Sequence, residues 1–424
     1  MKKIFIIIFL LIYVKSNAQD INYAKFIIKM LSSPKFKGRG YVENGNNIAA
    51  KFIKKEYKKV GLNKFKNNYF QQFTINANTF PSNMNLSIND KDLIPGKDYI
   101  VDPLSGSLKG DFGVEIIKKE DILNQKKIVA TIKAAKGKVL IIDETGFEIK
   151  NKEEIKKINN IINFLKYSPK ITIAAIILFT PNKLTWSNAT NQVSKPIFIV
   201  NSKLNLNNIK KISINIDAEL IQYKTQNIIG YIKGIKEPEK FIVLTAHYDH
   251  LGKMGAKTYF PGANDNSSGV AMLLNLAKYY KKNPPNCSIV FMSLAAEEIG
   301  LLGAKHYVEN PLFDLKEIKF LVNFDLAGTG DDGIKVVNGS VYKNKFDLLS
   351  KINQEKSYLK SVQIRGAACN SDHCMFDNKG VPCFYIYTLG GIKAYHDIYD
   401  KYETLPLTKF ENYCQLMIDF FNQL

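Results

Sequence analysis

Arginine is almost absent from this chain. Of 424 residues, 59 are basic, yet only Arg39 and Arg365 are arginines. A formal charge of +20 invites a nucleic-acid reading, but arginine is the usual bidentate reader of bases and phosphates. The lysines are spread along the chain with abundant Asn and Ile, as a general compositional bias, and nucleic acid is set aside as a partner. Histidine is scarce as well. All five, His247, His250, His306, His373 and His396, lie in the C-terminal half, so any chemistry needing imidazole belongs there. Cysteine numbers only five (Cys287, Cys369, Cys374, Cys383, Cys414), which excludes a fold built on disulfides; Cys369 and Cys374 are close enough to clip one loop.

Long apolar runs are missing beyond the first residues. The start, "MKKIFIIIFLLIYVKSNAQ", has two lysines, an apolar run from Ile4 to Val14 and small residues up to Ala18. That pattern reads as a secretory signal over residues 1–18. Its core falls short of the ~20 residues a bilayer span needs. No cysteine near the cleavage point offers a lipid anchor. The mature chain is expected to be secreted or periplasmic, with no integral membrane segment and a charge lowered by Lys2, Lys3 and Lys15 to +17. The sequence does not give an oligomeric state.

What remains is globular in composition, 46% hydrophobic and 23% charged, and long enough for more than one domain. In the C-terminal half, strand-like runs alternate with helical ones. "FIVLTAH" (241–247), "SIVFMSL" (288–294), "IKFLVNFD" (318–325) and "VPCFYIYT" (381–388) read as strands. Residues 267–282, 297–310 and 406–424 read as helices. This rhythm predicts an α/β fold with a mainly parallel central sheet covered by helices on both faces. Two amphipathic helices are expected near residues 20–33 and 44–62. From about 90 to 220 the texture changes to short strands with one basic helix and few chemical groups. The chain is therefore divided into a catalytic domain, 19–88 and 222–424, and a smaller β-rich inserted domain, 89–221.

The predicted strands lead into residues able to bind metal. The first ends at His247, followed by Asp249; Asp265 precedes the next helix. The second leads to the adjacent acids Glu297 and Glu298, the third ends at Asp325, and His396 follows the fourth. Ligand sites of open parallel sheets lie beyond the carboxyl ends of the strands. Two imidazoles with several carboxylates and no thiolate suit zinc or a similar first-row ion. Five ligand positions become three per ion for two ions if one carboxylate is shared. Asp265, in a Gly- and Asn-rich turn, is the natural bridge. Asp249 is placed to accept from the other nitrogen of His247 and fix its ring. His250, His306 and His373 are read as packed or hydrogen-bonded residues. Adjacency does not decide which of Glu297 and Glu298 binds metal.

The segments "TAHYDHLG", "GANDNSSGVA", "AAEEIGLLGAKHY", "NFDLAG", "SDHCMFDNKGVP" and "YHDIYDKYETL", in this order, resemble the exported dizinc aminopeptidases. Glutamate carboxypeptidase, glutaminyl cyclase and the transferrin receptor are wider relatives. "FKGRGYVENGNNIAAKFIKKEYKKVGL" resembles the N-terminal signature of that family, and the inserted region resembles its protease-associated domain. The resemblance implies two Zn2+ per chain, one on His247 and Asp325 and the other on Glu298 and His396, with Asp265 shared. Glu297 would be the general base and Asp249 the orienter. The implied activity is removal of N-terminal residues from peptide substrates through a metal-bridging water. A glutaminyl cyclase, a carboxypeptidase or a non-catalytic binding protein on the same fold are the alternatives. One departure is Asp397, which stands where the family has a hydroxyl residue and would add negative charge near the site. Asp400 falls where the family has an Asp.

Overall fold

The computed structural model describes residues 20–146, 151–201 and 209–424, so the leader read over 1–18 lies outside the described residues. Eight strands form the main sheet: β1 (Phe70–Thr79), β2 (Glu219–Ile232), β3 (Glu237–His247), β4 (Cys287–Leu294), β5 (Ile318–Asp325), β6 (Gly333–Val337), β7 (Val362–Ile364) and β8 (Cys383–Leu389). Their order is β1-β2-β4-β3-β5-β8-β6-β7. The four middle strands, β4, β3, β5 and β8, are mutually parallel. β1, β2 and β6 join antiparallel, so the sheet is mixed at its flanks.

The middle strands match the continuous apolar runs of the sequence because both of their faces are covered. All eight residues of β4 are buried. Ile242, Leu244 and Ala246 of β3 face one helical layer, together with Phe291, Val322 and Phe384. That layer is built from α1 (Ile21–Leu31), α2 (Gly45–Val60), α3 (Gly269–Lys282), α5 (Lys343–Lys356) and α6 (Phe410–Phe421). The alternate residues Phe241 and Val243, with Val290, Met292 and Leu321, pack on α4 (Leu302–Glu309) and the short helix His373–Asp377. Each fully buried Leu or Val here contributes about 1.5–3 kcal/mol relative to exposure.

The helix expected from Glu297 begins only at Leu302. Ala296 and Leu301 have φ of 58° and 59°, and the Glu297 carbonyl accepts from both Gly300 and Leu301 in a turn. The acidic pair therefore sits on a tight loop between β4 and α4. The strands β1 and β2, absent from the sequence reading, form a ten-residue antiparallel pairing whose β1 face is half exposed.

Residues 85–216 carry two further sheets. One has five strands in the order Tyr99–Val101, Ile197–Asn201, Ala175–Thr180, Val139–Asp143 and Val114–Lys118. The other has four, from Lys91–Asp92 to Leu108–Phe112. This layer has its own apolar cluster around Ile142, Ile158 and Leu165. A second cluster is shared: Phe80, Tyr99, Val101 and Trp186 pack with Leu251, Met254 and Phe260, just ahead of Asp265. Among the described residues no helix is long and apolar enough to cross a membrane.

Candidate metal centre

Four parallel strands deliver their following loops to one edge of the sheet. His247 is the last residue of β3, Asp325 the last of β5, Glu297 and Glu298 follow β4, and His396 lies in the loop after β8. Asp265 sits in the irregular turn Ala263–Ser268 that enters α3. Gly262, at φ 60°, is packed so tightly that a Cβ would meet the Asp265 carbonyl, the His250 ring and the Arg39 guanidinium.

Asp265 divides its carboxylate between the two imidazoles. Its Oδ1 is 3.4 Å from His247 Nε2, and its Oδ2 is 3.1 Å from His396 Nε2. Each imidazole has a second carboxylate of its own. Asp325 Oδ1 lies 3.4 Å from His247 Nε2, and Glu298 Oε2 lies 3.1 Å from His396 Nε2. Glu297 Oε2 stands further off, 3.9 Å from His247 Nε2. Possible donor atoms of His247, Asp265 and Asp325 all lie within 4.8 Å of one another. Asp325 Oδ1 is buried with no hydrogen-bond partner among the described residues, as expected of an oxygen meant for a cation. Neutral imidazole and carboxylate donors, buried and converging, fit zinc by chemistry and by place.

The two adjacent glutamates are electrostatically unlike. Burial pushes Glu297 well above the usual carboxylate range; His247 opposes this, while Glu298, Asp372 and Asp325 add to it. Burial would raise Glu298 too, but the imidazoles of His396 and His250 hold it well below that range. For His247, burial favours the neutral ring, yet Glu297, Asp325 and Asp265 hold its pKa well above the ordinary value. For His396 burial is likewise overcome, chiefly by Glu298 and Asp265, and the pKa rises to about 11. At pH 7, below the raised value of His396, that imidazole carries a proton that an incoming dication must displace, and the raised pKa of His247 acts in the same direction. Zinc binding near pH 7 is expected to release protons, at least the one on His396, with affinity rising with pH. Calorimetric titrations in buffers of different ionisation enthalpy measure this; release near zero would contradict it.

A second ring of residues fixes the ligands. His247 Nδ1 is 3.2 Å from the Asp249 carbonyl and 3.8 Å from its carboxylate. That carboxylate accepts instead from the backbone N–H groups of Glu297 and Glu298, at 3.2 and 3.3 Å. Asp249 thus sets the acidic loop as much as the ring. Asp400 accepts from the N–H groups of Asn264 and Asp265, at 2.8 and 2.9 Å, and fixes the bridging turn.

Three contributors, Arg39, Asp372 and Tyr395, escaped the sequence reading, and His250, read as packed or hydrogen-bonded, finds its partner at the site. Arg39 is fully buried and donates to the carbonyls of Leu31, Tyr248, Pro261, Gly262 and Asp265, pinning the N-terminal segment to the site. His250 Nδ1 is 2.6 Å from Glu298 Oε1 and orients that carboxylate. Asp372 is buried with neither carboxylate oxygen hydrogen-bonded among the described residues, and its pKa is pushed up to about 8 by burial, with Asp249 and Asp325 adding and His247 opposing. It sits inside the loop closed by the Cys369–Cys374 disulfide, beside Ser371, whose hydroxyl donates to Asp325 Oδ2. Tyr395 stacks on His396 with centroids 4.0 Å apart. The rarity of arginine and the spacing of His250 three residues after His247 were the available signals. Of the other histidines, His306 stacks on Phe73 and His373 on Tyr385. The Asp397 carboxylate is 2.6 Å from Lys183 Nζ, so its charge is paired.

Residues 227–421 match the family described as "Peptidase family M28". Aminopeptidase YwaD of Bacillus subtilis is 36% identical over 166 residues, which span 37% of this chain and 34% of that protein. A glutamate carboxypeptidase 2 homolog of Caenorhabditis elegans is 28% identical over 236 residues, covering 48% of this chain and 29% of that one. The chain thus spans about a third or less of these curated relatives. The fold likeness runs further. BSAP, a zinc aminopeptidase from Bacillus subtilis, superposes with a TM-score of 0.70 at 22% identity, over 95% of this chain and 94% of that one. A peptidase M28 precursor from Shewanella amazonensis gives 0.72 at 15% identity, over 96% and 94%. The match to peptidase family M28 takes in all six of the ordered motifs, and the likeness to the solved zinc aminopeptidase and M28 precursor structures extends over the fold of nearly the whole chain.

Proposed function

We propose that this chain is an exported dizinc aminopeptidase. One observation carries the reading: Asp265 places one carboxylate oxygen at each of two imidazoles, and each imidazole has its own second carboxylate. His247 and Asp325 would hold one zinc, His396 and Glu298 the other, with Asp265 common to both. When bound, the pair of ions supplies Lewis-acid polarisation of the scissile carbonyl and a water of lowered pKa.

Glu297 is left to move the proton. It takes one from the attacking water and delivers it to the leaving amine, and burial raises its affinity for a proton in the direction that exchange needs. Asp249 orients the His247 ring through its carbonyl and the acidic loop through its carboxylate. An N-terminal ammonium is the favoured recognition element because the groups around the centre are acids. Asp372 lies close enough to raise the affinity of Glu297 for its proton, and Asp325 does the same. Arg365, whose guanidinium donates to the exposed Tyr387 hydroxyl, is the only arginine of the catalytic half. Peptides with a free N-terminus are thus preferred over acidic C-termini.

Export belongs to the same reading. The signal-like start motivates it, and the Cys369–Cys374 disulfide suits an oxidising compartment. The residues between about 89 and 221 are read as an inserted protease-associated-like domain. The purified full chain is expected to hold close to two zincs and to cleave aminoacyl-nitroanilides until a chelator removes them. One zinc per chain, or two zincs without cleavage, would defeat the reading.

A further inference from the structure

We infer that the inserted layer is part of the metal site, with the segment Lys183–Trp186 acting as a positioning clamp on His396. This rests on the dizinc reading above. His396 has little support from its own loop. Residues 390–401 contain no helix or strand, and His396 has φ of 53°, in the left-handed region that a non-glycine residue keeps only when its surroundings hold it there. His247, by contrast, ends a strand of the main sheet.

Trp186 holds the backbone and ring of His396 through one peptide unit. The Trp186 N–H donates to the His396 carbonyl at 2.9 Å. The Trp186 carbonyl is 2.9 Å from His396 Nδ1, which must donate to it. That fixes the tautomer: once the ring is neutral, Nε2 carries the lone pair and faces Asp265 and Glu298. Lys183 holds the loop on either side. Its ammonium pairs with Asp397 at 2.6 Å and donates to the carbonyls of Lys393 and Tyr395 at 2.8 and 3.0 Å. Asp397 in turn accepts from the Tyr399 N–H at 2.8 Å.

The clamp is itself anchored on both sides. Trp186 Nε1 donates to the Val101 carbonyl in the inserted sheet at 2.8 Å. Its ring stacks on Phe260, 4.7 Å between centroids, at the start of the chain leading to Asp265. The lone tryptophan of the sequence thus ties the inserted layer to the loops of two metal ligands. Lys183 and Trp186 are positioning residues; neither reaches the reacting atoms.

Zinc competition against a chromogenic chelator, on the full chain, tests this without using activity. Wild-type protein binding two zincs upholds the dizinc reading; if it binds fewer, that reading fails by itself, whatever the clamp does. Lys183→Met and Asp397→Asn are each expected to weaken one zinc about 10–100-fold and leave the other unchanged, since outer partners of a ligating His act on that scale. Lys183→Arg should restore most of the loss. In a His396→Ala background, Lys183→Met should have no further effect on the remaining zinc. Lys138→Met, which removes an ion pair with Glu115 elsewhere in the inserted layer, should change neither. The clamp is overturned if Lys183→Met and Asp397→Asn keep both affinities. It is also overturned if both zincs weaken equally along with the melting temperature of the apo-protein, because that is general destabilisation.

Discussion

Glu297→Gln is expected to lower kcat about 10²–10⁴-fold while the protein keeps two zincs and its fold. The size is that of a positioned general base removed from the transition state. Glutamine has the same shape and carries no exchangeable carboxyl proton, so the loss isolates proton transfer from packing. The geometry explains why metal should stay. Glu297 is the outermost carboxylate of the cluster, 3.9 Å from His247 Nε2, against 3.1–3.4 Å for the acids assigned to metal. Its side chain also keeps 13% of its surface open, enough for contact with substrate. Glu298→Gln should behave differently. Glu298 divides its oxygens between His250 and His396, at 2.6 and 3.1 Å, and its loss should cost a zinc. Steady-state kinetics on an aminoacyl-nitroanilide, with zinc counted on the same sample, separates the two. Near-normal kcat in Glu297→Gln removes it from the base role.

The contrast between these neighbours also shows where sequence reading reaches its limit. The candidate ligands at strand ends were legible because a buried parallel strand is a continuous apolar run, and a polar residue ending it is conspicuous. His247 and Asp325 stand out in this way. Adjacency alone did not separate the two glutamates, which the resemblance assigned as base and ligand, because their different settings depend on a turn with two left-handed residues inside an apparently helical stretch. The outer ring was hidden for another reason. Arg39 works through five backbone carbonyls, and nothing in the residues around it names partners up to 226 positions away. Trp186 is similar, since its contribution to His396 comes from its peptide unit. β1 and β2 were missed because a half-exposed pairing alternates polar and apolar residues only weakly. Asp397 was read as extra negative charge; the long-range partner Lys183 pairs with that charge.

Asp265→Asn is expected to reduce zinc below one per chain, a larger metal loss than any other single ligand change. The reason lies in how its oxygens are shared. Of the two imidazoles assigned to metal, His247 and His396, Glu298 and Asp325 each serve one, but Asp265 serves both. Asparagine presents one carbonyl oxygen and one amide N–H2, so one side of the pair would meet a donor where an acceptor is needed. The negative charge that offsets two close dications also goes. The turn itself should survive, because its N–H groups are held by Asp400 and its carbonyl by Arg39, contacts that do not involve the side chain. Thermal melting with and without zinc therefore reads the site separately from the fold. A zinc site filled at about a hundredfold excess over Kd adds about 2.7 kcal/mol to stability. The wild-type chain should gain that for each site, whereas the variant should melt nearly alike with and without metal. Two zincs and an undiminished zinc-dependent shift in Asp265→Asn would mean that the two imidazoles do not share this carboxylate through metal. The centre would then have to be rebuilt around a grouping without Asp265, such as His247 with Glu297 and Glu298.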